Sequence, residues 1–418
     1  MHVDELRGKR VAIWGFAREG RAALRFLRER GVEPVVLDDI GVATDAPLIS
    51  GRDAIAGAIG AFDVVVKSPG ISLYDPLVRE TQGKGVKFTS LLNLWFGQRP
   101  AYRTVCVTGT KGKSTTTALI THILRGAGLQ AEAAGNIGVP VADLPQDGLD
   151  AAIIEVSSYQ AADFDGECDL AILTSLSQEH LDWHGSVETY QRDKLNLLLH
   201  AKDCLISADV LPIVSKIIDL DRLRFTTFPS RPDLIVGNRY LVRAHNQSNL
   251  SGALEVARIF GVDTGAAWRA AEDFAPLPHR QQEIGAVAGA LFVDDSISTT
   301  PEAAIAALDA YADREVTLIL GGHDRGIDYA ALVERLRLSP PHAVILMDAS
   351  GKRIHALLPD AHYVASMLEA VTLAKELTPR GGVVLLSPAA PSYGTYRSFI
   401  ERGEDFLRCA GLEQPLSR

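Results

Sequence analysis

Short runs of β-branched and aliphatic residues alternate with helical patterns along nearly the whole chain. This alternation predicts α/β layers built on parallel sheets. Three blocks emerge. In the first, residues 1–98, a strand over 10–16 leads through Gly15 and Gly20 into a helix containing Ala22, Leu24, Phe26 and Leu27. Two further strands, 34–37 and 62–66, end at Asp38-Asp39 and at Lys67-Ser68-Pro69-Gly70. That is half of a dinucleotide fold with a degenerate glycine pattern, a weak signal for a ligand on its own. The stretch 98–101 reads as a linker. In the second block, 99–276, strands are expected over 151–156 and 170–175, and helices over 187–200 and 249–260. It closes at the Pro276-Leu277-Pro278 break. The third, 277–418, has strands over 291–294, 316–320, 343–347 and 383–386, with helices between them, a second open α/β sheet. The expected fold is therefore three α/β domains. A Rossmann-like N-terminal domain comes first, then a central P-loop ATPase-type domain with a mostly parallel sheet, then a C-terminal Rossmann-like domain.

Composition narrows the class. A chain of 418 residues exceeds one typical core. A net charge of −10 argues against nucleic-acid binding, so an anionic ligand needs local cations or helix ends. Four widely spaced cysteines with no C-x-x-C pair read as free thiols in a reducing cytosol. Neither a signal core nor a membrane-length apolar run is present, so a soluble, cytoplasmic protein is expected.

The most informative stretch is 104–117. A β-branched strand runs into Gly109-Thr110-Lys111-Gly112-Lys113-Ser114-Thr115 and then into an apolar helix. This is the layout of a phosphate-binding loop. Backbone N–H groups and a helix N-terminus attract an anion, Lys113 adds charge, and Ser114 offers a hydroxyl to Mg²⁺. The loop is shorter than the standard motif, since Val107 stands where the first glycine belongs. ATP is the expected ligand.

Other polar groups fall at strand ends, where open α/β sheets bind ligands. Glu155 sits inside an apolar strand, where a carboxylate faces either Mg²⁺ or a structural ion pair. His180 follows the next strand, as a site group or as a structural histidine. Lys194 reads as a surface lysine on its helix. Asn136 lies in a polar turn. Asn246 or Ser248 is placed to cap the helix before Asn249. Arg280 follows the Pro276–Pro278 break, positioned to reach a phosphate or simply solvated.

Taken in order, these motifs resemble the Mur ligases of peptidoglycan synthesis, within them the glutamate-adding members, over essentially the whole chain. The resemblance implies an ATP-dependent ligase that joins glutamate to UDP-N-acetylmuramoyl-L-alanine through an acyl phosphate. It implies a uridine-nucleotide domain, an ATP domain and an amino-acid domain, in that order. Its catalytic set maps onto Lys113, His180 and Lys194. Its ATP contacts map onto Gly109 through Thr115, Asn249, Arg280 and Asp295. Its UDP-substrate contacts map onto Gly15, Arg18, Asp38, Ser68, Gly70, Asn136, Ser157 and His180. Its Mg²⁺ ligands map onto Ser114, Glu155, His180 and Lys194, the last as a CO2-derived carbamate. That role reverses the surface reading of Lys194.

Three departures stand out. Glu19 replaces the small hydroxyl or glycine usual before Gly20. Ile297 replaces the lysine that faces the glutamate carboxylate, and Gly394 replaces an aspartate near the C-terminus. A lost cation at an anion site costs roughly 1.5–3 kcal/mol, so a reshaped pocket is expected. Thr299, Ser392, Tyr396 and Phe399 are its candidate contacts. This favours L-glutamate over D-glutamate, with a separate epimerase inverting the stereocentre afterwards. The competing readings are a D-glutamate ligase, a folylpolyglutamate-synthase-like ligase and a non-catalytic ATP-binding homologue.

Overall fold

The computed structural model describes residues 1–232 and 237–412. They form two compact units, Met1–Phe274 and Ala275–Arg418.

The first unit carries two parallel sheets. One comprises β1 (Val11–Trp14), β2 (Val35–Asp38), β3 (Leu48–Ser50), β4 (Val64–Lys67) and β5 (Lys87–Thr89), in the order β3-β2-β1-β4-β5. The chain leaves β1 to one side and returns through β4 on the other. The loops after β1 and β4 therefore part and leave a crevice at the strand ends. Strand β1 is buried along its length because both faces are covered. Val11 and Ile13 pack with Phe26, Leu27 and Leu94, whereas Ala12 and Trp14 pack with Ile55 and Val78.

The other sheet comprises β6 (Arg103–Thr108), β7 (Ala131–Gly135), β8 (Ala151–Glu155), β9 (Cys168–Leu173), β10 (Ala201–Ser207) and β11 (Phe225–Phe228). Its order is β11-β10-β9-β6-β8-β7. Val107 of β6 lies level with Glu155 on one side and Ile172 on the other. The phosphate loop therefore starts between the ends of β8 and β9. Helices Lys113–Gly126, Ala244–Ile259 and Thr264–Glu272 cover one face. The opposite face shares its apolar cluster with the first sheet, Ile154, Ala161 and Leu195 joining Ile13, Phe26 and Trp95 in one core.

The second unit comprises β12 (Gln282–Val287), β13 (Ala290–Asp294), β14 (Val316–Gly321), β15 (Ala343–Met347), β16 (His362–Tyr363) and β17 (Val383–Leu386). Its order is β12-β13-β17-β14-β15-β16, with only the β12–β13 hairpin antiparallel. Because the last strand inserts between β13 and β14, the segments after Asp294, Gly321 and Leu386 meet at one edge.

Two sequence expectations need correction. Helix Ala244–Ile259 begins five residues earlier than the expected 249, with Arg243 as N-cap. Asn246 and Ser248 are therefore inside the helix and cap nothing. Lys194 is buried, at 1% exposure, and is not a surface lysine.

Candidate functional site

The phosphate loop has a backbone that only glycine permits at two points. Gly109 has φ +151°, and a Cβ there would lie 2.0 Å from Thr174 Oγ1. Gly112 has φ +87°, and a Cβ there would lie 2.3 Å from Asn249 Oδ1. The loop is thus held between the end of β9 and helix Ala244–Ile259. Gly112 is the N-cap of helix Lys113–Gly126 and supplies no side-chain cap. The first amides of that helix are left for another acceptor, as anion binding requires.

Two lysine amino groups converge on this loop. Lys113 Nζ donates to Gly109 O at 2.8 Å and Thr110 O at 3.0 Å. Lys194 Nζ donates to Gly109 O at 2.9 Å. Burial, and after it the charge of Lys113, pushes the Lys194 amine well below the ordinary lysine range. Thr110 Oγ1 is 2.8 Å from Tyr190 Oη. The exposed Lys111 pairs with Glu179 at 2.8 Å. Ser114 and Thr115 open the helix that follows. Asn249 Oδ1 accepts from Thr116 Oγ1 at 3.2 Å.

Glu155 ends β8 at 2% exposure. Its Oε1 accepts from Asn136 Nδ2 at 2.9 Å, while Oε2 is buried with no partner. A buried carboxylate oxygen left unpaired is costly and suits a cation. Among the described residues, no three His, Cys, Asp or Glu side chains converge as a metal group. A Mg²⁺ beside Glu155 therefore needs hydroxyl and phosphate oxygens to complete its shell. The cradle, the uncapped helix and the orphaned oxygen fit a Mg²⁺-bound nucleotide.

His180 sits in the left-handed region at φ +54°, a costly conformation for a non-glycine residue. Its ring is 5.0 Å from that of Tyr159. Burial lowers its pKa, Glu179 opposing and Lys113 and Lys194 adding to the effect, so the neutral imidazole is favoured. A network that sequence reasoning missed lies behind it. His184 Nδ1 is 2.6 Å from Asp193 Oδ2, and its Nε2 is 3.0 Å from Ser158 Oγ. Tyr74 Oη donates to Asp193 Oδ1 at 2.8 Å. These four residues come from separate segments, so no local spacing could reveal them. Their effect is to fix the helix that carries Lys194.

The crevice of the first sheet gathers Gly15, Asp38, Ser68 and Gly70. Ser68 Oγ donates to Gly15 O at 2.5 Å. A Cβ on Gly20 would lie 2.1 Å from Gly15 O, which explains the glycine there. Asp38 accepts from Phe16 N at 2.6 Å and Ile40 N at 3.1 Å, so its carboxylate shapes the loop. Arg18 donates to the carbonyl of Gly135, and Glu19 accepts from Gln160 Nε2 at 2.6 Å. Burial pushes the Glu19 carboxyl up to about 7, against the pull of Arg18. Beside it, buried Lys67 pairs with Asp163 at 2.8 Å. Ser157 caps the short helix Ser158–Ala162 in a capping box with Gln160.

In the second unit, Asp295 is buried, accepting from Ser298 Oγ at 2.5 Å, Ser387 Oγ at 2.7 Å and Gln281 N at 3.1 Å. Burial pushes its carboxyl up to about 6. Arg280 Nε is buried without a partner. Ile297 and Thr299 are partly exposed on the loop after β13. Tyr396 Oη donates to Asp405 Oδ2 at 2.7 Å, so that hydroxyl is already engaged. Ser392 is buried, and Phe399 packs 5.9 Å from His279. Gly394 has φ +89°, a turn that favours glycine over aspartate. Sequence reasoning missed Arg402. Its buried guanidinium donates to Ser296 O at 2.8 Å, Ala390 O at 3.0 Å, Ser296 Oγ at 3.1 Å and Gly321 O at 3.3 Å. It thereby pins together the segments beyond β13, β14 and β17.

Comparison with known proteins gives consistent matches. Residues 107–227 match the Mur ligase middle domain, and 279–390 match the Mur ligase, glutamate ligase domain. The UDP-N-acetylmuramoyl-L-alanine–L-glutamate ligase of Xanthomonas axonopodis pv. citri is 38% identical, over 99% of this chain and 97% of its own. The protein of the same name from a Micromonospora species is 41% identical, over 97% of each. Among solved structures, the UDP-N-acetylmuramate–alanine ligase MurC of Thermotoga maritima superposes with a TM-score of 0.62 at 17% identity, covering 96% of this chain and 98% of that one. The MurF ligase of Thermotoga maritima, solved with ADP, gives 0.59 at 15%, covering 98% and 95%.

Proposed function

We propose that this chain, which belongs to the Mur ligase family, is the ATP-dependent ligase that joins L-glutamate to UDP-N-acetylmuramoyl-L-alanine. The observation that carries the chemistry is the meeting of Lys113, Lys194 and the unpaired Glu155 oxygen at one glycine-built loop. The choice of L-glutamate rests on the names of the relatives and is supported by Ile297.

The reaction brings two anions together, a substrate carboxylate and a triphosphate. Attack of a carboxylate oxygen on the γ-phosphorus breaks its bond to the β-bridging oxygen and leaves an acyl phosphate and ADP. The amine nitrogen of glutamate then attacks the acyl carbon. The C–O bond to phosphate breaks, the amine loses a proton, and the amide remains. Lys113 and the loop amides offset charge on the transferring group. Ser114 and Glu155 would hold Mg²⁺, which supplies further neutralisation when bound. His180 and a carbamylated Lys194 would hold a second Mg²⁺. The depressed Lys194 amine favours the neutral form, the one that adds to CO2. Gly15, Arg18, Asp38, Ser68, Gly70, Asn136 and Ser157 are the proposed contacts of the uridine nucleotide. On the second unit, Arg280 and Asp295 are proposed nucleotide contacts, and Thr299, Ser392 and Phe399 proposed glutamate contacts. Tyr396 would act through its ring, since its hydroxyl is bound to Asp405. An L-configured product requires a separate epimerase if the later chain is to carry the D-isomer.

The test is phosphate release with UDP-N-acetylmuramoyl-L-alanine and each glutamate enantiomer. Turnover with L-glutamate is expected. Turnover with D-glutamate alone would overturn the stereochemical assignment. Folate-dependent ATP cleavage would overturn the substrate class.

A further inference from the structure

Arg18 and Glu19 open helix Arg18–Arg28, directly after the glycine loop that follows β1. Arg18 reaches the end of β7 in the other sheet of the same unit, and Glu19 reaches helix Ser158–Ala162, which follows β8. Arg18 donates to Gly135 O. The next residue, Asn136, donates to Glu155 Oε1 at 2.9 Å. Glu19 Oε1 accepts from Gln160 Nε2 at 2.6 Å. Gln160 Oε1 in turn accepts from Ser157 N and Ser157 Oγ, both at 3.0 Å. Ser157 lies two positions beyond Glu155. Glu155 is therefore bracketed, one arm arriving through Asn136 and the other through Ser157, and both arms start at adjacent residues of the helix turn that closes the crevice loop. Gln160 is buried at 3% exposure. The Lys67–Asp163 pair adjoins the Glu19 carboxylate, and both groups act on it electrostatically. Glu19 is also one of the three residues that depart from the family pattern, and an acid there is unfavourable for contact with an anionic substrate.

We propose that Glu19 is a positioning residue that couples the crevice loop to the Glu155 strand end, so that occupancy of the crevice and Mg²⁺–nucleotide binding at the phosphate loop strengthen each other. The inference rests on the nucleotide-sugar reading of the crevice. A rigid double link transmits a loop shift to both flanks of Glu155, and such coupling is reciprocal for binding free energies.

The test is calorimetric binding of Mg²⁺–ADP to the full chain, with and without saturating UDP-N-acetylmuramoyl-L-alanine. In the unmodified chain the substrate should tighten Mg²⁺–ADP by about fivefold or more. Glu19→Ser should bring that ratio close to one, and Glu19→Gln, which can still accept, should keep most of it. Measured well above pH 7, where the Glu19 carboxyl is ionised, Gln160→Glu sets two carboxylates against each other and should abolish the coupling. The double variant Glu19→Gln/Gln160→Glu restores a donor–acceptor pair and retains the capping acceptor, so it should recover the ratio. Coupling unchanged in Glu19→Ser, or a double variant no better than Gln160→Glu, overturns the inference alone. No binding of the UDP-substrate to the unmodified chain overturns the crevice reading and the inference with it.

Discussion

Lys194 and Asp295 are both buried ionisable groups, and burial drives each toward its neutral form. For Lys194 the neutral amine is the reactive state, so protein prepared free of CO2 should lose activity and regain it with bicarbonate. Lys194→Ala should be inactive whether or not bicarbonate is added. A bicarbonate-independent enzyme would remove the carbamate from the mechanism. For Asp295 the consequence is one of stability. Burial raises its carboxyl to about 6, above the ordinary aspartate value of 3.8. A carboxyl raised on folding favours the fold most below its unfolded value, and that advantage is lost as pH rises through about 6. At neutral pH the charge costs the fold about 3 kcal/mol. Asp295→Asn is therefore expected to raise Tm above pH 7, and the gain should vanish toward pH 4. If Asp295 contacts the nucleotide, the same variant weakens ATP use, trading activity for stability. Equal Tm shifts at both pH values would contradict the burial argument.

At the scale of elements, the phosphate loop and its helix form one device. Gly112→Ala meets both a positive φ and Asn249 Oδ1 at 2.3 Å, so nucleotide affinity should fall by at least about tenfold. Titration with labelled ADP would show it, and unchanged affinity would mean the loop can relax. Much of this device was legible beforehand, because strand, glycine turn and apolar helix are contiguous in the chain. The strand carrying Glu155 and the strand end at Asp294 were legible for the same reason. What escaped was whatever depends on distant segments. The burial of Lys194 follows from packing against the loop, and nothing in its own helix announces it. The helix holding Asn249 begins at Ala244, since tertiary contacts override the cap-like residues at 246 and 248. Strand β7, with its alanines, has helical composition but is paired throughout with β8. His184, Asp193 and Arg402 have partners 9 to 119 positions away, beyond any local pattern.

For the whole molecule, the shared core of the first two sheets has a measurable outcome. Ile13 and Phe26 lie in one apolar cluster with Ile154 and Leu195. Limited proteolysis of the native chain is therefore expected to cut near 274–275 and to spare the linker at 98–101. Early release of a stable fragment ending near residue 98 would contradict a common core. Sequence blocks suggested three domains, and block composition could not reveal that the first two share an apolar interior. The same shared interior bears on modularity. Exchanging the first hundred residues with those of a relative would transplant half of a packed interface without its complement. Recombinants between relatives should survive when they join near residue 275 and fail when they join near 100. The exchangeable unit is then expected to be the pair of sheets within Met1–Phe274, with the last sheet exchanged as a cassette.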